Sequence, residues 1–127
     1  MASPWLFIGP EVIYWAVRHV SALWKVPALY ITENGTSGED PQGADGRIED
    51  TDRVMYLRNY LTHLQGAAAE GYPVKGYFLW SLMDNFEWAD GYTNRFGLHY
   101  VDYATQKRTP KLSAQFYKEV IAKNAVL

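Results

Sequence analysis

The sequence contains no cysteine, which excludes disulfide bonds and thiolate metal sites. It also lacks an excess of charge of one sign, because 12 basic and 14 acidic side chains leave a formal net charge of −2. Chains that hold a phosphate backbone or an anionic membrane surface usually show a basic patch, so neither nucleic acid nor a membrane is an expected partner. No apolar run approaches the ~20 residues that a membrane span requires.

The length and composition of the chain fit one modest domain. Its 127 residues are 48% hydrophobic and 16% aromatic, which is enough apolar material for a core. We therefore expect residues 1–127 to form a single unit. The N-terminus, Met1 to Pro4, has no basic segment followed by an apolar run, so a cytoplasmic location is the default expectation.

Apolar residues recur at helical spacing in three stretches of the sequence. The first covers residues 10–25, where a proline is acceptable in the first turn. The second begins at Asp50 or Thr51, has apolar positions three and four residues apart, and ends at Gly71. The third opens at residues 109–110. These patterns predict three helices.

Two further stretches have the composition of buried β-strands. Residues 28–32 are a short β-favouring run that leads into a turn at residues 33–35. Residues 74–83 are almost continuously apolar, as expected for a parallel strand covered on both faces. A small hairpin is expected around residues 98–103. The order helix, strand, helix, strand, helix predicts a parallel α/β fold.

Polar and aromatic residues follow both predicted strands, at residues 32–36 and 80–97. The carboxyl ends of parallel strands are where α/β folds bind their ligands, so Glu33 and Glu87 are expected at one rim. Two carboxylates that face one pocket can act as acid and nucleophile in glycoside cleavage. The aromatic side chains around Glu87 are Trp80, Trp88, Tyr92 and Phe96. Flat rings beside carboxylates suit a pyranose, so the residues indicate a sugar ligand.

The residues alone leave a second interpretation open. Glu33 could instead cap a helix or pair with an arginine, while the tryptophan rings fill the core. Two smaller expectations concern structure only. Asp84 and Asn85 are expected to hold the turn after the second strand and orient their neighbours, and Arg95 is a candidate ion-pair partner for Asp102.

The sequence does not predict a metal or cofactor site. His19, His63 and His99 lie far apart without the paired spacing of metal ligands. The acidic residues within 39–50 lack the alternating pattern of a calcium loop, so this segment is expected to be a solvated loop. No metal and no cofactor are therefore assigned.

Four motifs occur in a fixed order along the chain. They are YITENG at residues 30–35, GYFLWSLMDNFEWADGY at 76–92, RFG at 95–97 and VD at 101–102. The sequence from about residue 5 to residue 120 resembles glycoside hydrolase family 1, the β-glucosidases. Long motifs at consistent mutual spacing make this resemblance far more specific than one short pattern.

The resemblance implies a retaining β-glycosidase on an eight-stranded β/α (TIM) barrel, of which this chain supplies the last two strands with their helices. It implies that Glu33 is the nucleophile that forms the glycosyl-enzyme intermediate. It further implies that Glu87 and Trp88 hydrogen-bond the hydroxyls of the glycone. Trp80 would form the aromatic platform of that subsite, and Phe96 would line it. By this resemblance Glu87 is a sugar ligand and not the acid.

The same resemblance implies a class of substrate. Family members that act on 6-phosphorylated sugars replace the Glu-Trp pair with a phosphate-binding arrangement of Ser and Lys, whereas this sequence keeps FEW at residues 86–88. Unphosphorylated β-glucosides, galactosides, fucosides or related small saccharides are the expected ligands.

The chain departs from the family in length, since a β/α barrel typically needs ~250 residues. The Asn-Glu-Pro motif that bears the acid/base Glu is absent from this sequence. Loss of a general acid removes roughly 10²–10⁴-fold of rate, so the chain alone is expected to be nearly inactive. An incomplete barrel also exposes strand edges, which predicts a complementary N-terminal half or self-association. The alternative is a non-catalytic, sugar-binding relic of the same fold.

Overall fold

The structure is a computed structural model that describes residues 7–126, so the N-terminal segment through Leu6 lies outside the described residues. The elements in chain order are α1 (Glu11–Trp24), β1 (Leu29–Asn34), α2 (Thr51–Ala69), β2 (Val74–Leu79), β3 (His99–Val101), β4 (Arg108–Pro110) and α3 (Leu112–Lys123). The predicted order of three helices and two main strands is confirmed.

The two main strands form a parallel pair, and the two short strands form an antiparallel pair. β1 continues two residues further than predicted and includes Glu33 and Asn34. β2 ends at Leu79, four residues earlier than predicted. It ends there because the backbone turns away from β1, and the N–H of Ser81 donates to the carbonyl of Phe96 at 3.3 Å.

Helix α2 lies at the centre of the packing, because both groups of buried apolar residues include its side chains. The first group joins α2 to α1 and to one face of β1, and the second joins α2 to α3. The buried residues of these two groups are Ile13, Val17, Tyr56, Leu57, Tyr60, Leu61, Leu64, Ala67, Leu98 and Val120. The sheet is thus covered by helices on one face.

The expectation of strands covered on both faces is wrong for this chain. Leu29 and Ile31 of β1 and Tyr77 of β2 pack against the helices. On the opposite face Tyr30 and Phe78 are 54% and 58% exposed. In the described part of the chain the main sheet has only two strands and one helical layer, so this face has no cover. Within residues 7–126, no helix is both long enough and apolar enough to span a membrane.

Candidate active site

Glu33 lies at the carboxyl end of β1, in an irregular part of the sheet. Ile31 is paired with Tyr77 and Asn34 with Leu79, so two residues of β1 lie opposite one residue of β2 between these pairs. This extra residue is a β-bulge, a feature that often redirects side chains beside active sites. The side chain of Glu33 is exposed on this rim.

Asn34, the residue after Glu33, is hydrogen-bonded to two tyrosine side chains. The side-chain amide of Asn34 donates to the Tyr56 hydroxyl at 2.9 Å, and the Tyr77 hydroxyl donates to its amide oxygen at 2.8 Å. Burial raises the pKa of Tyr56 and of Tyr77 well above the ordinary value, so both phenols are neutral near pH 7. Asn34 therefore has a fixed position, and it limits how far the neighbouring Glu33 backbone can move.

The ends of β1 and β2 meet at Gly35 and Trp80. The N–H of Trp80 donates to the carbonyl of Asn34 at 3.0 Å. A Cβ atom placed on Gly35 would lie only 1.9 Å from the Trp80 carbonyl oxygen, so the backbones touch and only glycine fits. The peptide bond from Trp80 to Ser81 is cis. This contact brings the half-buried Trp80 next to the segment that carries Glu33.

Phe96 lies behind the first residues of the loop that follows β2. Its carbonyl accepts the hydrogen bond from Ser81, and the N–H of Leu98 donates to the Ser81 carbonyl at 2.9 Å. Phe96 is 3% exposed. Trp80, Ser81 and Phe96 are thus joined in one backbone arrangement, and Phe96 supports the rim from inside.

Glu87 and Trp88 lie further along the same loop, in a compact turn. The N–H of Glu87 donates to the Gly91 carbonyl at 2.7 Å, and the N–H of Asp90 donates to the Glu87 carbonyl at 2.8 Å. Glu87 is buried at 8% exposure, whereas Trp88 is 84% exposed and has a φ of 41°. The turn therefore presents the indole of Trp88 to solvent and holds Glu87 beneath it.

A buried Asp84 organises the loop after β2. Its Oδ1 accepts the N–H of Gly97 at 2.9 Å and the Lys111 Nζ at 2.7 Å. Its Oδ2 accepts the Arg95 guanidinium at 2.6 Å and the N–H of Val101 at 3.2 Å. The expectation that Asp84 holds the turn and orients its neighbours is confirmed.

Arg53 is the corresponding centre for the loop after β1. It is 2% exposed, and its guanidinium donates to the carboxylates of Asp40 and Asp50 and to the carbonyls of Thr36 and Arg95. Burial alone would lower the pKa of Arg53, but the two carboxylates outweigh burial and raise it. Arg53 was not predicted from the sequence, although a charged residue one turn before the apolar position 57 of α2 was a signal for it.

Three expectations from the sequence differ from the geometry. The alternative for Glu33 as a helix cap is wrong because the residue lies within β1. The alternative in which the tryptophan rings fill the core is wrong for Trp88, because this residue is 84% exposed. Arg95 pairs with Asp84, and Asp102 instead accepts the N–H groups of residues 104 and 105. Among residues 7–126, no group of three or more His, Asp or Glu side chains could hold a metal ion.

A groove of about 640 Å³ lies beside the start of α2 and the loop of residues 36–41. Its walls include Ile8, Glu39, Glu49 and Met55, and none of the five predicted site residues lines it. The predicted site residues therefore lie outside this groove, whose walls also include the buried Asp40 and Arg53.

Comparison with known proteins gives matches over most of the chain. The family model for glycosyl hydrolase family 1 matches residues 1–126. Beta-glucosidase A from Thermotoga maritima is 48% identical over 119 residues, which are 94% of this chain and 27% of that protein. Beta-glucosidase 44 from Arabidopsis thaliana is 45% identical over 125 residues, which are 96% of this chain and 24% of that protein.

Solved structures show the same likeness. The family 1 β-glucosidase from Thermotoga maritima in complex with isofagomine lactam has a TM-score of 0.92 and 48% identity, and the match covers 94% of this chain and 27% of that one. The enzyme in complex with deoxynojirimycin has the same TM-score and identity, with 94% and 28% covered. These neighbours are barrels, whereas the described residues form an open α/β part of one. The chain spans about a quarter of the length of these relatives, and it belongs to glycosyl hydrolase family 1.

Proposed function

We propose that this chain supplies the nucleophile and part of the sugar site of a retaining β-glucosidase. The observation that carries the proposal is the position of Glu33. It is an exposed carboxylate in a bulge at the carboxyl end of a parallel strand, and Gly35, two residues later, is in contact with Trp80. Similarity to proteins named β-glucosidases supports the reaction class.

The proposed reaction has two steps at the anomeric carbon. A carboxylate oxygen of Glu33 attacks this carbon, the bond to the leaving oxygen breaks, and that oxygen takes a proton from a general acid. Water then attacks the same carbon, the ester bond to Glu33 breaks, and the proton of the water passes to the former acid, now a base. This chain contains no Asn-Glu-Pro motif, so the acid/base belongs to another part of the proposed barrel.

The remaining predicted residues give the sugar its position. In the proposal the Trp80 ring is the platform for the apolar face of the pyranose, and Glu87 and Trp88 hydrogen-bond its hydroxyls. Phe96 forms the inner wall beneath them. Some neighbours were solved with bound small molecules, among them deoxynojirimycin, which supports an unphosphorylated saccharide as the ligand.

We further propose that the partner of this chain is the rest of a β/α barrel. The open face of the sheet carries Tyr30 and Phe78, and each main strand keeps one unpaired edge in the described part of the chain. On α1, Trp15 and Trp24 are 59% and 69% exposed. Apolar faces and unpaired edges of this kind need a covering layer, and further strands and helices of a barrel would provide it.

The test uses a chimera in which this chain replaces the matching segment of β-glucosidase A from Thermotoga maritima. The proposal predicts that the chimera hydrolyses an aryl β-glucoside and that Glu33→Ala abolishes hydrolysis. Added azide should then restore turnover of a substrate with a good leaving group, because it can attack from the face that Glu33 vacates, and the product should be the α-glucosyl azide.

The matched control is Glu39→Ala, which removes an exposed carboxylate six residues further along the chain. This variant should keep full activity. A folded chimera that binds glucose but never hydrolyses a glucoside would favour the sugar-binding relic. A Glu33→Ala variant that stays active would contradict the assignment of the nucleophile.

A further inference from the structure

Three buried charged side chains connect the two loops that carry the proposed sugar site. They are Asp40, Lys111 and Asp84, and together they are called the lysine bridge. We infer that the lysine bridge positions these loops for catalysis, so that Lys111 is a positioning residue of the reaction. The inference rests on the proposed function and deepens it.

The lysine bridge has short hydrogen bonds and is buried. The Nζ of Lys111 donates to Asp40 Oδ2 at 2.5 Å and to Asp84 Oδ1 at 2.7 Å. The three side chains are 0%, 5% and 0% exposed, in the order Lys111, Asp40, Asp84. Asp40 belongs to the loop after β1 and Asp84 to the loop after β2. One cation therefore joins both loops at a position where burial weakens the screening of the attraction by water.

Asp84 links Lys111 to the residues that are proposed to contact the sugar. It binds the N–H of Gly97, and a Cβ on Gly97 would lie 2.1 Å from the Asp84 nitrogen, so the two backbones are in contact. The adjacent Phe96 accepts the hydrogen bond from Ser81, which directly follows Trp80. A shift of Asp84 would therefore move the wall and the platform of the site together.

Asp40 provides the connection to the strand that carries Glu33. Its Oδ2 also accepts the Arg53 guanidinium at 2.8 Å. Nearby, Gly38 and Arg95 form an antiparallel bridge, with N–H to carbonyl distances of 2.9 and 3.1 Å. The loop that begins two residues after Glu33 is thus fastened to the second loop at both Gly38 and Asp40.

The charges of this region balance, which explains how they can be buried. The three cations and three anions are Arg53, Arg95, Lys111, Asp40, Asp50 and Asp84. Well-packed apolar residues often stabilise a protein as much as a buried ion pair does, so stability alone is a weak reason for this arrangement. Directional bonds from one side chain to two separate loops are a second reason, because they hold the two loops in one relative placement.

The test compares Lys111→Met with the unsubstituted chimera. A slowly hydrolysed 2-deoxy-2-fluoro glucoside counts the competent sites as adducts per molecule, and kcat is then expressed per site. If the bridge positions the loops, kcat per site should fall about 10- to 100-fold, because small displacements of reacting groups are costly. A bridge that only stabilises the fold would lower the number of competent sites and leave kcat per site unchanged.

Two further variants complete the test. Lys118→Met removes an exposed lysine from α3, the helix that begins directly after Lys111, and should change neither quantity. If Lys111→Met does not fold, Asp40→Asn provides the test, because it keeps the shape of the side chain but removes its charge. The inference predicts that Asp40→Asn also lowers kcat per site. An active chimera whose folded bridge variants keep kcat per site overturns this inference alone. An unsubstituted chimera that neither forms an adduct nor turns over overturns the proposed function and this inference with it.

Discussion

Two regions of this chain differ in how many of their side chains have partners within the chain. One is the pair of loops that follow β1 and β2, called the loop side, and the other is the main sheet with its uncovered face, called the strand side. On the loop side, buried charges such as Arg53, Asp84 and Lys111 all form ion pairs within the chain. On the strand side, Tyr30 and Phe78 are more than half exposed although they belong to the main sheet. The described part of the chain thus contains polar contacts that hold its loops but only one layer of the apolar packing around its strands.

This difference indicates which properties belong to the chain itself. Polar contacts between residues of this chain fix the loops that follow β1 and β2. The arrangement of Glu33, Trp80 and Phe96 is therefore determined by contacts within this chain. The uncovered sheet face and the exposed tryptophans of α1 are suited to contacts outside the chain. We therefore expect substitutions on the loop side to affect stability and catalysis strongly and those on the open face to affect association.

The largest effect should come from Arg53→Met. It leaves the buried carboxylates of Asp40 and Asp50 without their shared cation, which should lower the free energy of unfolding by about 3–5 kcal/mol. Urea unfolding of dilute chain, followed by circular dichroism, measures this. Arg47→Met removes an exposed ion pair with Asp45 and should cost no more than about 1 kcal/mol. Equal losses in the two variants would contradict the difference between the sides.

The second prediction concerns the contact between the strand ends. Gly35→Ala places a methyl group against the Trp80 carbonyl, so the two strand ends must separate. In the chimera, kcat/KM should fall by about 100-fold because Glu33 and the platform move apart. The control is Gly66→Ala within α2, where a Cβ meets no atom within 4 Å and the helix should gain about 0.5–1 kcal/mol. Unchanged kcat/KM in Gly35→Ala would refute the role given to this contact.

A third prediction uses the buried phenols that hold Asn34. Burial raises the pKa of Tyr77 above its ordinary value of 10.0, so the folded chain keeps this phenol protonated at a pH where the unfolded chain loses the proton. The stability that the neutral phenol contributes is therefore complete below pH 10 and is lost as the pH rises beyond it. The loss should be at most about 1.4 kcal/mol per pH unit for this group. Urea unfolding between pH 9 and pH 11.5 should show a smaller decline for Tyr77→Phe than for the unsubstituted chain. Identical declines would contradict the burial of this phenol.

The smallest effect on stability should come from the open face. Phe78→Ser should change the free energy of unfolding by less than about 0.5 kcal/mol, because this ring is mostly in solvent. Sedimentation velocity should show weaker self-association of the variant, since an apolar contact surface has been removed. The matched substitution Leu57→Ala, at a residue with 0% exposure, should instead cost about 2–5 kcal/mol. A large loss in Phe78→Ser would mean that the face is covered.

Part of this fold could be predicted from the sequence because its signals are local. Helical spacing located α2 closely, and the apolar runs located β1 and β2. The end of β2 was predicted four residues too late, because the apolar run continues to Met83, whereas residues 81–83 pair with residues 96–99 and not with β1. Composition does not reveal such a change of partner.

The candidate site was predicted less completely. The resemblance named the residues proposed to meet the sugar, but the lysine bridge was missed because its members lie up to 71 residues apart in the sequence. The partner of Arg95 was predicted wrongly for a similar reason, since Asp102 is nearer in sequence than Asp84. Long-range polar contacts of this kind have no periodic pattern, and only the folded chain brings them together.

The most direct test of the central claim is to locate the covalent intermediate. The chimera is treated with a 2-deoxy-2-fluoro glucoside that carries a dinitrophenolate leaving group, which departs without an acid, and its peptides are then mapped by mass. The account predicts one adduct, on Glu33. An adduct on Glu87, or hydrolysis by the chimera without any adduct on Glu33, would contradict it.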